Sequence, residues 1–145
     1  MAASFEKLDA FQRALELMVA IHRATEAFPC SEMYGMTGQM RRAAGSVVSH
    51  IAEGQGRLTA GEWRQMLSQA RGSLYEVEAD VIASARLGFL TADEERRLRD
   101  AVDRTGRPLM GLIRYVRKLE VRTLSRRRAP ATRYPQPATS PQRSD

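Results

Sequence analysis

The stretch Thr59-Ala-Gly-Glu-Trp-Arg-Gln-Met-Leu-Ser-Gln-Ala-Arg-Gly-Ser-Leu-Tyr-Glu-Val-Glu-Ala-Asp-Val-Ile-Ala-Ser-Ala-Arg-Leu-Gly88 decides the fold of this chain. Thr59 and Glu62 have the spacing of a capping box, in which each side chain satisfies a free backbone N–H at the start of a helix. From there Trp63, Met66, Ala70, Leu74, Val77, Val81 and Ser84 recur at three- and four-residue intervals. That spacing places them along one side of an α-helix, as a seam for packing against other helices. The pattern stops at Gly88, so a helix is expected over about 60–86.

The same period continues in both directions. Downstream, Thr91 and Glu94 make a second box, and Leu98, Val102, Thr105, Leu109, Leu112, Val116 and Leu119 mark a helix over about 92–120. A bend is expected near Gly106 and Pro108, because proline removes one backbone hydrogen bond and crowds the preceding turn. Upstream, Met36, Met40, Ala43, Val47 and Ile51 share a face of a helix over about 35–53. It is expected to stop at Gly54-Gln55-Gly56, where glycine can take the left-handed conformation that closes a helix. Leu8, Phe11, Leu15, Met18, Ile21, Thr25 and Phe28 mark a first helix over about 6–28, ended by Pro29. No strand pattern competes and the connections are short. Residues 1–120 therefore read as an all-α, antiparallel up-down-up-down four-helix bundle.

Charge is unevenly spread. The 145 residues carry 23 Lys+Arg against 17 Asp+Glu, a formal +6. Up to Glu120 there are 17 basic and 16 acidic residues, whereas residues 121–145 hold six Arg and one Asp together with four of the six prolines. Such a composition buries too little apolar surface to offset its ordering entropy, so 121–145 is expected to be a disordered basic tail. Two readings of Arg126, Arg127 and Arg128 stay open: a solubilising end that complements a helix C-terminus, or a phosphate-binding arm. No apolar run approaches the roughly 18 residues of a membrane span, and the N-terminus lacks the basic and apolar regions of a secretory signal. No membrane partner and a cytoplasmic location are expected. A single cysteine, Cys30, excludes an internal disulfide framework and a multi-cysteine zinc site, and agrees with a reducing compartment.

Two polar rows accompany the apolar seams. Gln39, Arg42, Ser46, Ser49 and Glu53 line one side of the second helix, and Gln69, Ser73, Glu76 and Asp80 line the third. Either they meet, with Arg42 pairing to Glu76 or Asp80, or both are solvated faces. Gly45 and Gly72, each mid-helix at a cost of about 1 kcal/mol relative to alanine, point to close packing or an interface.

Chemistry finds little support. His50 and Glu53 lie one helical turn apart, but carboxylate-bridged metal bundles use the order Glu-x-x-His on two helices, with further glutamates. His22 lies beside apolar positions. Cys30 follows a helix C-terminus, where the dipole disfavours a thiolate. Gly54-Gln55-Gly56 lacks the preceding strand and third glycine of a dinucleotide loop. No enzyme activity, metal or cofactor is expected. Arg57 and Arg64 flank the connection between helices two and three, with Arg41 and Arg42 along the preceding helix; they form either a candidate phosphate cluster or, with Glu53 and Glu62 interspersed, a mixed solvated surface.

The block Tyr34-Gly-Met-Thr-Gly-Gln-Met-Arg-Arg-Ala-Ala-Gly-Ser-Val-Val-Ser-His-Ile-Ala-Glu-Gly-Gln-Gly-Arg57, followed by Glu62-Trp63 and Gly72-Ser-Leu-Tyr-Glu-Val-Glu78, carries a resemblance. It resembles the bacterial four-helix-bundle proteins named after intervening sequences inserted in 23S ribosomal RNA genes, over about Phe5 to Leu119. Where that family usually has Ile-Pro-x-Asn, this chain has Val47-Val48-Ser49-His50, and the missing proline is expected to straighten helix two. The resemblance implies a left-handed bundle with relatives that form ring-like homopentamers. It also implies kinship with accessory proteins of diversity-generating retroelements, which bind nucleic acid and a reverse transcriptase. The resulting expectation is a non-enzymatic, self-associating scaffold that binds RNA or DNA, with Arg57, Arg64, Arg126, Arg127 and Arg128 on phosphates. The alternative is a protein-protein adaptor, for example for a reverse transcriptase.

Overall fold

The structure, a computed structural model, describes residues 4–128. After a 3-10 turn at Ser4–Lys7 come four helices: α1 (Asp9–Thr25), α2 (Met36–Gln55), α3 (Ala60–Arg86) and α4 (Ala92–Arg128). A further 3-10 turn at Cys30–Glu32 lies between α1 and α2. Among the described residues there is no strand.

Cross-helix contacts define the topology. Arg41 Nε donates to Thr25 Oγ1 at 2.9 Å between α1 and α2. Between α2 and α3, Gln39 Nε2 donates to Asp80 Oδ1 at 2.6 Å near one end, and Gly54 abuts Trp63 near the other. Between α3 and α4, Glu78 faces Arg99 and Arg64 faces Glu120. Thr105 Oγ1 on α4 donates to the Arg13 carbonyl on α1 at 3.2 Å. Residue numbers rise on one helix as they fall on its neighbour, which is an antiparallel up-down-up-down bundle. Of the seam residues, Ile21, Met40, Val47, Ile51, Val77, Val81, Leu109 and Val116 are fully buried, while Leu15, Met18, Trp63 and Met66 are half-buried and the core is completed by Leu17 and Leu67, which lie outside the expected seams.

Local chemistry sets the helix ends. Glu62 N–H donates to Thr59 Oγ1 and Thr59 N–H donates to Glu62 Oε2, both at 3.2 Å, completing the box at the start of α3. At α4, Glu94 N–H donates to Thr91 Oγ1 at 3.1 Å. The α2 start has a cap of another kind: Met36 N–H donates to the Glu32 carboxylate at 3.0 Å. At the end of α3, Gly88 takes a φ of +81° while Phe89 N–H reaches back to Ser84 O and Gly88 N–H to Ala85 O. This is the six-to-one closure in which a left-handed residue recovers the last free carbonyls.

Several boundaries differ from expectation. The first helix covers 9–25 rather than 6–28: Leu8 is extended, and the backbone has left the helix before Phe28, whose partner Pro29 disfavours helical geometry in the residue before it. Phe28 is nevertheless buried, tilted against Phe89 with ring centroids 5.4 Å apart. Gly54 lies inside α2, and Gly56 has a φ of −86°, so neither closes that helix by a left-handed turn. The fourth helix continues through Pro108 and past residue 120 to Arg128. Residues 121–128 of the expected disordered tail are therefore helical, and 129–145 lies outside the described residues.

Candidate nucleic-acid interface

The sign of charge reverses along α4. From Ala92 to Asp103 there are five acidic and three basic residues; from Arg104 to Arg128 there are nine basic residues and one acid, Glu120. Each half suits its end of the helix dipole, positive at the N-terminus and negative at the C-terminus. At the acidic end Asp93 binds both Arg97 and Arg96, which hold its carboxyl below the usual carboxylate range. In the basic half, Arg107, Arg114, Lys118 and Arg122 fall at intervals of seven, four and four, so they share one side of the helix, and all are exposed.

Glu120 fixes where α4 leaves the bundle. Arg64 Nε donates to Glu120 Oε2 at 2.6 Å, and a Cβ on Gly61 would lie 3.2 Å from Glu120 Oε1. The first turn of α3 thus closes onto α4 at this residue. Val121–Arg128 run on past the start of α3, about 12 Å of helix at 1.5 Å per residue, and every residue of this overhang is exposed. Of the five net positive charges after Glu120, four (Arg122, Arg126, Arg127, Arg128) stand on this helical segment rather than in a coil.

The structure divides the expected phosphate contacts. Arg126, Arg127 and Arg128 form the exposed last turn of α4. Arg57 lies at the same end of the bundle, exposed, with Nη2 donating to Met66 Sδ at 3.5 Å and 4.0 Å from Glu53. Arg64 is instead committed to Glu120, whose hydrogen bond and charge raise its pKa further. This pair ties α3 to α4. The stripe of Arg107, Arg114, Lys118 and Arg122 was readable from spacing, but a charge count divided at Glu120 split it between two segments.

One hydrogen bond joins the polar rows. Asp80, 5% exposed, accepts from Gln39, and its Oδ2 has no partner. Burial pushes the Asp80 carboxyl above the usual carboxylate range, the Gln39 hydrogen bond opposes this, and the Glu76 charge adds to it. Arg42 does not pair with Asp80 or Glu76: it is exposed, and its guanidinium folds back over Gly38, 2.9 Å from where a Cβ would stand there. The shorter Gln39 reaches Asp80 because it lies nearer that end of α2. Ser49 Oγ donates to its own helix at Gly45 O, and Glu53, Gln69 and Glu76 are exposed; Ser46 and Ser73 are half-buried. Gly45 and Gly72 have no atom within 4 Å of an added Cβ, so close packing inside this chain does not explain them. The tight glycine is Gly54, where a Cβ would lie 2.8 Å from Trp63 Cδ1. Trp63 in turn meets Tyr115 edge to face at 6.3 Å.

Among the described residues no three His, Cys, Asp or Glu side chains gather as metal ligands, and no helix is long and apolar enough to cross a membrane. No curated protein matches the chain. Residues 6–111 match the family model of the 23S rRNA-intervening sequence protein, from the first 3-10 turn through Gly111 of α4, so the most basic part of α4 lies beyond the match. With a match over most of its length, the chain belongs to the 23S rRNA-intervening sequence protein family.

Proposed function

We infer that this protein is a non-enzymatic, homo-oligomeric helical-bundle scaffold that binds RNA or DNA through backbone electrostatics. The observation that carries the reading is the basic half of α4, with nine cationic side chains against one carboxylate between Arg104 and Arg128. Phosphate contacts by such a surface are sequence-independent and release counterions, so affinity falls steeply with salt. Self-association draws support from the family resemblance and from the open space around Gly45 and Gly72, which leaves the α2 and α3 faces free for another copy.

The test is fluorescence anisotropy with labelled RNA and DNA between about 50 and 200 mM salt, comparing the natural chain with R122Q/R126Q/R127Q/R128Q. Binding at low salt is expected, with a log-log salt slope that flattens by up to about 3 to 4 on removing four phosphate contacts. No binding at low salt, or an unchanged slope, overturns the reading. A second reading, an adaptor for a protein such as a reverse transcriptase, draws on Val121 and Leu124, which are 63% and 52% exposed on the overhang. A stoichiometric protein partner that survives nuclease treatment and is lost with V121S/L124S would favour it.

A further inference from the structure

A groove of about 480 Å³ runs between α3 and α4, upstream of the overhang, with Arg71, Tyr75, Gly106, Arg107, Met110 and Arg114 on its walls. Buried Leu74 and Leu109 form its apolar base. Its volume falls within the range of small-ligand sites, and apolar floors with a few convergent polar groups are their usual build. Among the described residues none of the three guanidinium groups has a carboxylate within 4.0 Å. Of the two acids that line the groove, Glu78 already faces Arg99 at 3.6 Å, and Asp103 is left as an acceptor for a hydroxyl or amine. Tyr75 is 58% exposed, and Arg71 stands over its ring at 5.3 Å from the centroid. An exposed aromatic beside uncompensated arginines is the combination that stacks a base and holds its phosphate.

We propose that this groove takes one unpaired nucleotide of a single strand, so that the protein prefers single-stranded to duplex nucleic acid. The proposal rests on the nucleic-acid reading above and extends it from the α4 surface to a defined pocket. Arg107 and Arg114 belong both to the groove and to the exposed stripe that continues through Lys118 to Arg122, about 12 Å farther along the axis from Arg114. A strand with one base in the groove would lay its following phosphates on that stripe. A duplex keeps its bases stacked and paired, and presents no free base face to Tyr75.

The experiment has two arms. In the first, anisotropy compares a single-stranded oligonucleotide with a duplex of equal length, for the natural chain, Y75A and G106L. A Cβ on Gly106 would contact Leu74 at an ordinary 3.5 Å, so G106L fills the groove and does not cost helix propensity. Tighter single-strand binding is expected, with both variants weakening it at least about fivefold, as loss of one base stack implies, and leaving duplex binding unchanged. In the second arm, adenosine monophosphate is titrated while amide NMR shifts are followed. Shifts at Tyr75, Gly106 and Met110 that vanish in G106L are expected. Equal single-strand and duplex affinity with silent variants, or no mononucleotide shifts in the groove, overturns the proposal. Polymer binding that depends on the overhang arginines and ignores Y75A and G106L would leave the α4 reading standing without the groove. Mononucleotide shifts in the groove without any polymer binding would overturn both the single-strand preference and the α4 reading, leaving a site for free nucleotides.

Discussion

Replacing Gly54 by alanine should destabilise this bundle, against the ordinary effect of that change in a helix. In an open helical position Gly→Ala gains about 1 kcal/mol, because glycine gives up more backbone freedom on folding. At Gly54 the new methyl would stand 2.8 Å from Trp63 Cδ1, 3.3 Å from Trp63 Nε1 and 3.3 Å from Met66 Cβ. Carbon atoms rest about 3.5–4.0 Å apart, so the indole has to move by more than half an ångström. The indole also packs edge to face on Tyr115, and overpacking of this kind costs about 1–3 kcal/mol. The net effect is a loss of about 1 kcal/mol. Gly45→Ala and Gly72→Ala are the internal controls at protein concentrations below self-association, since nothing within the chain lies within 4 Å of either added Cβ, and each should gain about 1 kcal/mol there. The spread between G54A and the controls is then about 2 kcal/mol, roughly 6–8 °C in Tm for a domain of this size. Urea unfolding followed by far-UV circular dichroism at fixed protein concentration measures it. The chain has a single tryptophan, so emission spectra report separately whether Trp63 has shifted. G54A as stable as the two controls, with unchanged emission, would refute the packing argument.

Three further outcomes follow from the same structure. Gly88→Ala should cost about 1–2 kcal/mol in urea unfolding, because a side chain at φ +81° crowds the following carbonyl; an unchanged midpoint would mean the α3 end is set some other way. Glu120→Gln should cost about 0.5–1 kcal/mol, the scale of a partly exposed ion pair, and the loss should shrink in high salt; a salt-independent loss would point to packing. Asp80, with a carboxyl raised by burial, binds its proton more tightly folded than unfolded. Stability should therefore fall as pH rises from the ordinary aspartate value near about 3.9 through the raised one. Asp80→Asn should flatten that slope in pH-dependent urea midpoints, and an identical slope would exclude Asp80 as its source.

The fold was legible because it rests on repeated local signals. The capping box at Thr59/Glu62 lies where spacing placed it, Thr91 caps α4 through the Glu94 N–H without the reciprocal backbone bond, and much of each apolar seam is buried. What spacing could not reveal was which partner a polar residue meets. Arg42 and Gln39 are both on the expected row of α2, and only the end-on register of α2 against α3 gives Asp80 to Gln39. Arg64 looked like a phosphate ligand because its partner, Glu120, lies 56 residues away. Gly54 stands where spacing predicts a helix stop, since sequence does not distinguish a glycine needed for its torsion from one needed for its lack of a side chain. The end of α4 was misplaced for a related reason: arginine is a good helix former, and the prolines that argue for coil begin only at Pro130.

The overhang of α4 has a thermodynamic consequence for whatever it meets. A flexible basic segment that becomes ordered on a polyanion gives up about 1–2 kcal/mol of backbone freedom per residue at that moment. The segment from Val121 to Arg128 is already helical, so that loss belongs to folding and is absent from association. Its cations are also held at a fixed pitch, so their spacing is a property of the helix. Two chains of identical composition, one with this segment wound and one with it loose, would carry the same net charge and differ in affinity.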